Sequence, residues 1–446
     1  MRGYRSLVFI ALAAGIGACG GGGSGAHSGQ GGIFGTGGGM NGAGGGGAIG
    51  TGGDGAGGAI GAGGGSVGGA VGTGGDGLGG GTGAGGEGSD GGMGGVGGGT
   101  ADGGQSCPSV PDPGAPVGST VDFVAGVTVS TLAGSGVPGD SDGTGAGVGF
   151  ENPVTVTVAP NGNLFVAEYD GNRIRSLTPA GVSATVIAAG ILDQPFGLVA
   201  ASNDVLYVDT DRDPQHQKSL TSGTVWRIDV PSSTATVVKA DVGQPRGMAV
   251  LLDGRVALSD FLNNRLMLLD PQTSTVTPLA GNGCPGFADG QGTAAQFSTP
   301  YGIAVRSDGT LVVADWGNQR IRTVTLDGTV GTLAGDGVNG MVDGNASQAR
   351  FYFPEAVAVD ASGAVYVADH GNHRIRRLAA GMVRTLAGDG DAGFADGAGA
   401  GAEFYGEEGL AVTPDGLTVF VSDGTDGESD ASPHQRVRAI AIPAGN

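Results

Sequence analysis

From residue 150 onward, apolar residues alternate with polar ones in runs of about five, broken by short turns. The stretch after Pro300 is clearest. Tyr301-Gly-Ile-Ala-Val305 reads as a strand, and Ser307-Asp-Gly309 has the side chains of a tight turn. Leu311-Val-Val-Ala-Asp315 is a second strand, Arg320-Ile-Arg-Thr-Val324 a third and Thr329-Val-Gly-Thr-Leu333 a fourth. β-Branched residues at period two, with no amphipathic helical stretch, predict an all-β chain. The unit recurs six times. An acid ends the second strand fifteen residues after the opening proline in Pro153→Glu168, Pro245→Asp260, Pro300→Asp315 and Pro354→Asp369. Pro195→Asp209 is one residue short, and the sixth unit has Glu407 and Ser422 at the two places. Six units of four short strands predict a six-bladed β-propeller. The last unit supplies three strands, ending at Arg436–Ile442. The spare strand Val127–Ala133 is therefore expected to complete it and remove an exposed edge.

Between units lies a second repeat. Segments starting at Leu132, Leu279, Leu333 and Leu386 align without a gap. Each has an Asp-Gly pair ten residues on (Asp142, Asp289, Asp343, Asp396) and a Phe eighteen residues on (Phe150, Phe297, Phe351, Phe404). The Asp-Gly pairs read most simply as turns.

The combination P-x-G-I-A-V, D-G-x-L-x-V-A-D, N-x-R-I-R and T-L-A-G-x-G, best seen at 300–335 and 354–388, resembles the NHL-repeat propellers over roughly 127–442. The resemblance implies architecture more than activity. That family includes protein-binding scaffolds, RNA-binding domains, sensor domains and lyases with metal in the central channel.

The N-terminal side differs. Arg2 and Arg5 precede the apolar run Leu7–Ala18, too short to span a bilayer, and then Cys19. Ile16-Gly-Ala-Cys19 resembles a bacterial lipobox, which implies lipid attachment at Cys19, export and, with Gly20 following, the outer membrane. Residues 20–106 hold 49 glycines and no Lys or Arg, too little apolar surface to fold around. The expected organisation is a signal peptide 1–18, a disordered Gly-rich tether 19–106, a linker 107–126 and the propeller 127–446. Net charge is −21, and the residues after the tether hold 19 basic and 37 acidic groups. This opposes phosphate binding, so no nucleic-acid partner is expected. With Cys19 lipidated, Cys107 and Cys284 remain, either paired in an oxidising compartment or free.

Candidate chemistry is sparse. Asp260, Asn263 and Arg265, then Asp315, Asn318 and Arg320, then Asp369, Asn372 and Arg374 recur one set per unit, which predicts structural work at turns and seams. Directly after the strand-two acids stand Tyr169, Phe261, Trp316 and His370. The topology puts them on the face that carries the long loops. They pack over their own turns, or they form a surface for a protein, peptide or glycan ligand. Metal donors are few. His370 and His373 lie three apart, and Asp423, Asp426 and Asp430 in an acidic insertion are candidates for calcium. Zinc would need further imidazoles, and only His216 and His434 are at hand in the body. No nucleophile elbow, no phosphate-cradling loop with Lys and no H-E-x-x-H is found, so no nucleotide is expected. The expectation is a lipid-anchored envelope scaffold that binds a ligand on its loop-rich face. The alternative, implied by the resemblance, is a metal-dependent lyase or lactonase using the channel.

Overall fold

The structure is a computed structural model that describes residues 100–101, 105–108, 113–219, 221–424 and 434–445. The signal peptide, Cys19, nearly all of the tether, and Asp426 and Asp430 lie outside the described residues. Among the described residues there is no α-helix, and six antiparallel four-stranded sheets dominate. Their inner strands are Pro153–Val158, Pro195–Ala200, Pro245–Val250, Pro300–Val305, Pro354–Val359 and Glu407–Val412. Each inner strand packs on the next and the sixth packs on the first, so the blades close a ring. Blade six is completed by the N-terminal strand Thr128–Ala133, paired antiparallel with Arg436–Ala441.

The core is divided among the seams. Six apolar clusters lie one between each pair of neighbouring blades, as alternation demands of strands packed on both faces. Glycine near the axis lets the blades approach. A Cβ on Gly302 would stand 2.6 Å from the Glu355 carbonyl oxygen.

The four aligned loops explain their own pattern. Each is seated on a fully buried arginine from strand three of the following blade: Arg175, Arg322, Arg376 and Arg438. In blade four, Arg322 Nη1 donates to Asp315 Oδ2 at 2.5 Å and Nη2 to Asp289 Oδ1 at 2.7 Å. The same guanidinium donates to the carbonyls of Gln296 and Ala288 and stands 5.2 Å from the centroid of Phe297. Blades one, five and six repeat this with Glu168–Arg175–Asp142, Asp369–Arg376–Asp343 and Asp423–Arg438–Asp396. The repeated Asp is thus more than a turn residue. It and the closing Phe grip one arginine, which is why the three recur together. Each loop also adds a two-residue strand outside its blade's edge strand, such as Gly290–Gln291 on Thr329–Ala334.

Blades two and three lack all of this. Their joining segments, 188–194 and 240–244, are short, and Trp226 and Met267 stand where the arginine would be. Blade two also shifts register. Pro195 pairs with Thr210, so Thr210 holds the acid's place and Asp209 points to the other face.

Residues 113–126, read from the sequence as linker, run as a strap over blade five. Ser119–Thr120 pairs in parallel with Met341–Val342, Val124 N donates to Thr385 O at 2.9 Å, and Asp122 is ion-paired with Arg384 at 2.8 Å. Upstream, Cys107 is disulfide-bonded to Cys284 in the loop that enters blade four, with Cα atoms 5.2 Å apart.

Candidate functional site

Every inner strand has a register irregularity immediately after its first residue. Proline offers no N–H to the ladder, and a bulge re-aims the side chain that follows. That next residue is Val154, Phe196, Arg246, Tyr301, Glu355 and Glu408 in blades one to six. The position is structurally equivalent around the ring, yet its chemistry differs in nearly every blade. Below it the inner strands enclose a channel cavity of about 330 Å³, whose wall includes Arg246, Tyr301 and Glu408 and is otherwise mostly Gly, Ala, Val, Thr, Leu, Met and Ile. The mouth lies on the loop-rich face, since each inner strand starts beside the end of strand two.

On the side of blades one to four, the Arg246 guanidinium is held between two rings, 4.4 Å from the centroid of Phe196 and 4.7 Å from that of Phe261. Its Nη1 and Nη2 both donate to Asp211, a buried acid in the insertion of blade two. Tyr169 donates its hydroxyl to Asp211 at 2.8 Å, and Lys218 Nζ stands 3.4 Å from the same carboxylate. Burial pushes Asp211 upward, but Arg246, Lys218 and Tyr169 outweigh it and hold the carboxyl below its usual range. Tyr301 packs edge-on against both phenylalanines, with centroids 5.7 Å and 5.8 Å away.

On the side of blades four to six the charges reverse. Burial raises the Tyr301 phenol well above its usual range, and the fields of Glu355 and Glu408 add to it, with Tyr301 bonded to Glu355. The Tyr301 hydroxyl is thus bonded to one carboxylate and lies in the field of the second. His370 Nδ1 lies 3.4 Å from Glu355, and His373 Nδ1 lies 3.8 Å from the fully buried Glu407. His373 sits at the left-handed position that ends its turn, φ 48°. In other blades Asn172, Asn264 and Gln319 use that place to accept a backbone N–H from the next blade.

Tyr169 and Phe261 thus enter the Arg246 cluster. Trp316 stacks on Phe353 at 4.0 Å, at the seam of blades four and five, and His370 faces Glu355, so the four rings do not form one set. The Asp–Asn sets recur as turn supports: Asn263, Asn318 and Asn372 each donate to their own strand-two acid at 2.8–2.9 Å. Asp423 is fully buried and bonded to Arg438. Among the described residues, no three His, Cys, Asp or Glu side chains are placed to hold a metal ion. The sequence reading passed over Gly139-Asp-Ser141-Asp-Gly143, which does have a nucleophile motif's spacing, but it lies in a loop rather than between a strand and a helix, and Ser141 Oγ there donates to Gly147 O at 3.2 Å. Sequence reading missed the mouth residues. The signal for them was present: one position of a regular repeat that refuses to repeat.

Residues 351–378 match the NHL repeat. Over 83 residues the chain is 42% identical to the protein SUPPRESSOR OF QUENCHING 1, chloroplastic, of Arabidopsis thaliana, which covers 19% of this chain and 8% of that protein. The chain thus spans a small part of the length of that relative. Among solved structures, an auxiliary nutrient binding protein from Bacteroides thetaiotaomicron is similar with a TM-score of 0.55 and 18% identity, over 71% of this chain and 76% of that one. Another auxiliary nutrient binding protein, from Bacteroides ovatus, is similar with a TM-score of 0.53 and 18% identity, over 72% and 77%. At these identities the likeness is one of fold.

Proposed function

We propose that this protein is an exported binding module, anchored through a lipid on Cys19, that takes its ligand at the channel mouth of the loop-rich face. One observation carries the reading. Residues that repeat around the ring are used up in structural contacts, whereas Phe196, Arg246, Tyr301, Glu355 and Glu408 occupy a repeated position with unrepeated chemistry. Selection for folding alone would not diversify them, and a site with one face needs that asymmetry. The description of two similar folds as nutrient-binding proteins supports the same reading.

The test is a thermal-shift screen of the full-length exported protein against small metabolites, peptides and glycans. The expected result is a set of ligands whose shift disappears in Phe196→Ala and Tyr301→Phe but persists in Leu252→Ser, an exposed site away from the mouth. Ligands unaffected by the mouth variants would refute this site. Palmitate labelling that survives Cys19→Ser would refute the anchor.

A further inference from the structure

Resting on the binding reading above, we infer that the mouth accepts a compact organic cation, an ammonium group carried on an apolar body. The ammonium is held on the Tyr301–Glu355–Glu408 side and the apolar body fills the channel.

The argument is one of charge and shape. The mouth positions carry one cation, Arg246, and two carboxylates, Glu355 and Glu408. Arg246 already serves Asp211 through both Nη atoms and is clamped between Phe196 and Phe261, and with Lys218 on the same carboxylate that wall carries one net positive charge against the two glutamates. The sum over the mouth is therefore negative, whatever hydrogen bonds the glutamates make. It is also uneven: the carboxylates come from neighbouring blades five and six, and Tyr301 of blade four shares both fields. An incoming carboxylate or phosphate would meet two like charges, at a guanidinium already engaged. A bare metal ion would lack a three-donor set among the described residues. A hydrated inorganic cation would gain nothing from the aliphatic side chains along the channel wall below. An ammonium finds carboxylate and phenol oxygens at the rim, and its hydrocarbon part leaves water in a cavity of about 330 Å³, the scale of small-ligand sites.

Three probes with one body and different heads test this: 2-phenylethylamine, 2-phenylethanol and phenylacetate, titrated calorimetrically into the full-length protein at pH 7. The amine is expected to bind saturably and at least about tenfold more tightly than the alcohol or the acid. Glu408→Gln is expected to weaken the amine at least about tenfold. Glu355→Gln, measured in parallel, guards against a misfolded first variant. Equal binding of the three heads, preference for the acid, absence of amine binding, or amine binding untouched in both variants overturns the inference. The binding reading fails separately, through ligands from the screen that ignore Phe196→Ala and Tyr301→Phe.

Discussion

Blades four, five, six and one form one arc of the ring, and blades two and three the other. In the first arc every entering loop is seated on a buried arginine shared by two acids, and every edge strand is covered by a short fifth strand. In the second arc the joining segments are short, the arginine is replaced by Trp226 or Met267, and the edge strands Thr234–Lys239 and Thr275–Ala280 are uncovered. Lys239 on one bare edge and Pro278 in the other are the residues that discourage a second chain from pairing there. The aromatic clamp on Arg246 belongs to the uncovered side. The difference teaches that loop, arginine and edge cover are one device, present whole or absent whole, whereas the unrepeated mouth side chains occur in both arcs.

Three experiments break or sharpen this contrast. The largest effect is expected from Arg322→Met, which gives blade four the residue of blade three and leaves the fully buried Asp315 without its cation. A loss of about 3–5 kcal/mol in urea unfolding is expected, partly recovered by adding Asp315→Asn. A loss below about 1 kcal/mol would mean that the loops do not depend on these arginines. Next is the Cys107–Cys284 bond, which ties the strap to the loop-bearing arc. Reduction, or Cys284→Ser, is expected to cost about 2–4 kcal/mol and to expose 113–126 to protease, with blades two and three unchanged in hydrogen exchange. The smallest is a pH effect. Burial, opposed by Arg175, pushes Glu168 up to about 7 from an ordinary 4.5. The native state then holds this proton more tightly than the unfolded chain, so the stability it gives is full below the ordinary value and is lost as pH rises towards 7. The fall is expected to be roughly 1–2 kcal/mol, short of the full 1.4 kcal/mol per pH unit because solvent reaches Asp142 beside the same arginine. Glu168→Gln should flatten it. Blade two, with Thr210 at that place, has no group to titrate.

The repeats made the blades, their number and the closing strand legible, because period-two patterning and turn residues act locally. The loop repeat was legible as a pattern but not as a mechanism. The second Arg of Arg320-Ile-Arg322 looks like any polar strand residue until its neighbours across the sheet are known. The register shift at Asp209 depended on pairing that spacing from Pro195 misplaces by one. At that other face Ser259 and Ser422 donate to carbonyls of the next blade. Burial raises the carboxyl of Asp209, the residue at that place in blade two, well above its usual range. The mouth was hidden for the opposite reason. Its positions vary, and variation within a repeat reads as noise until the bulge shows where they point.

The strap has a mechanical consequence. A pull arriving along the chain from its N-terminal side meets the Cys107–Cys284 bond first and passes into the loop between blades three and four. The closing strand Thr128–Ala133, held to Arg436–Ala441 by hydrogen bonds and apolar packing without a covalent link, lies beyond that point and carries no load while the bond is intact. The bond is a force shunt: tension on the molecule is borne covalently, and the ring cannot be unzipped from its seam.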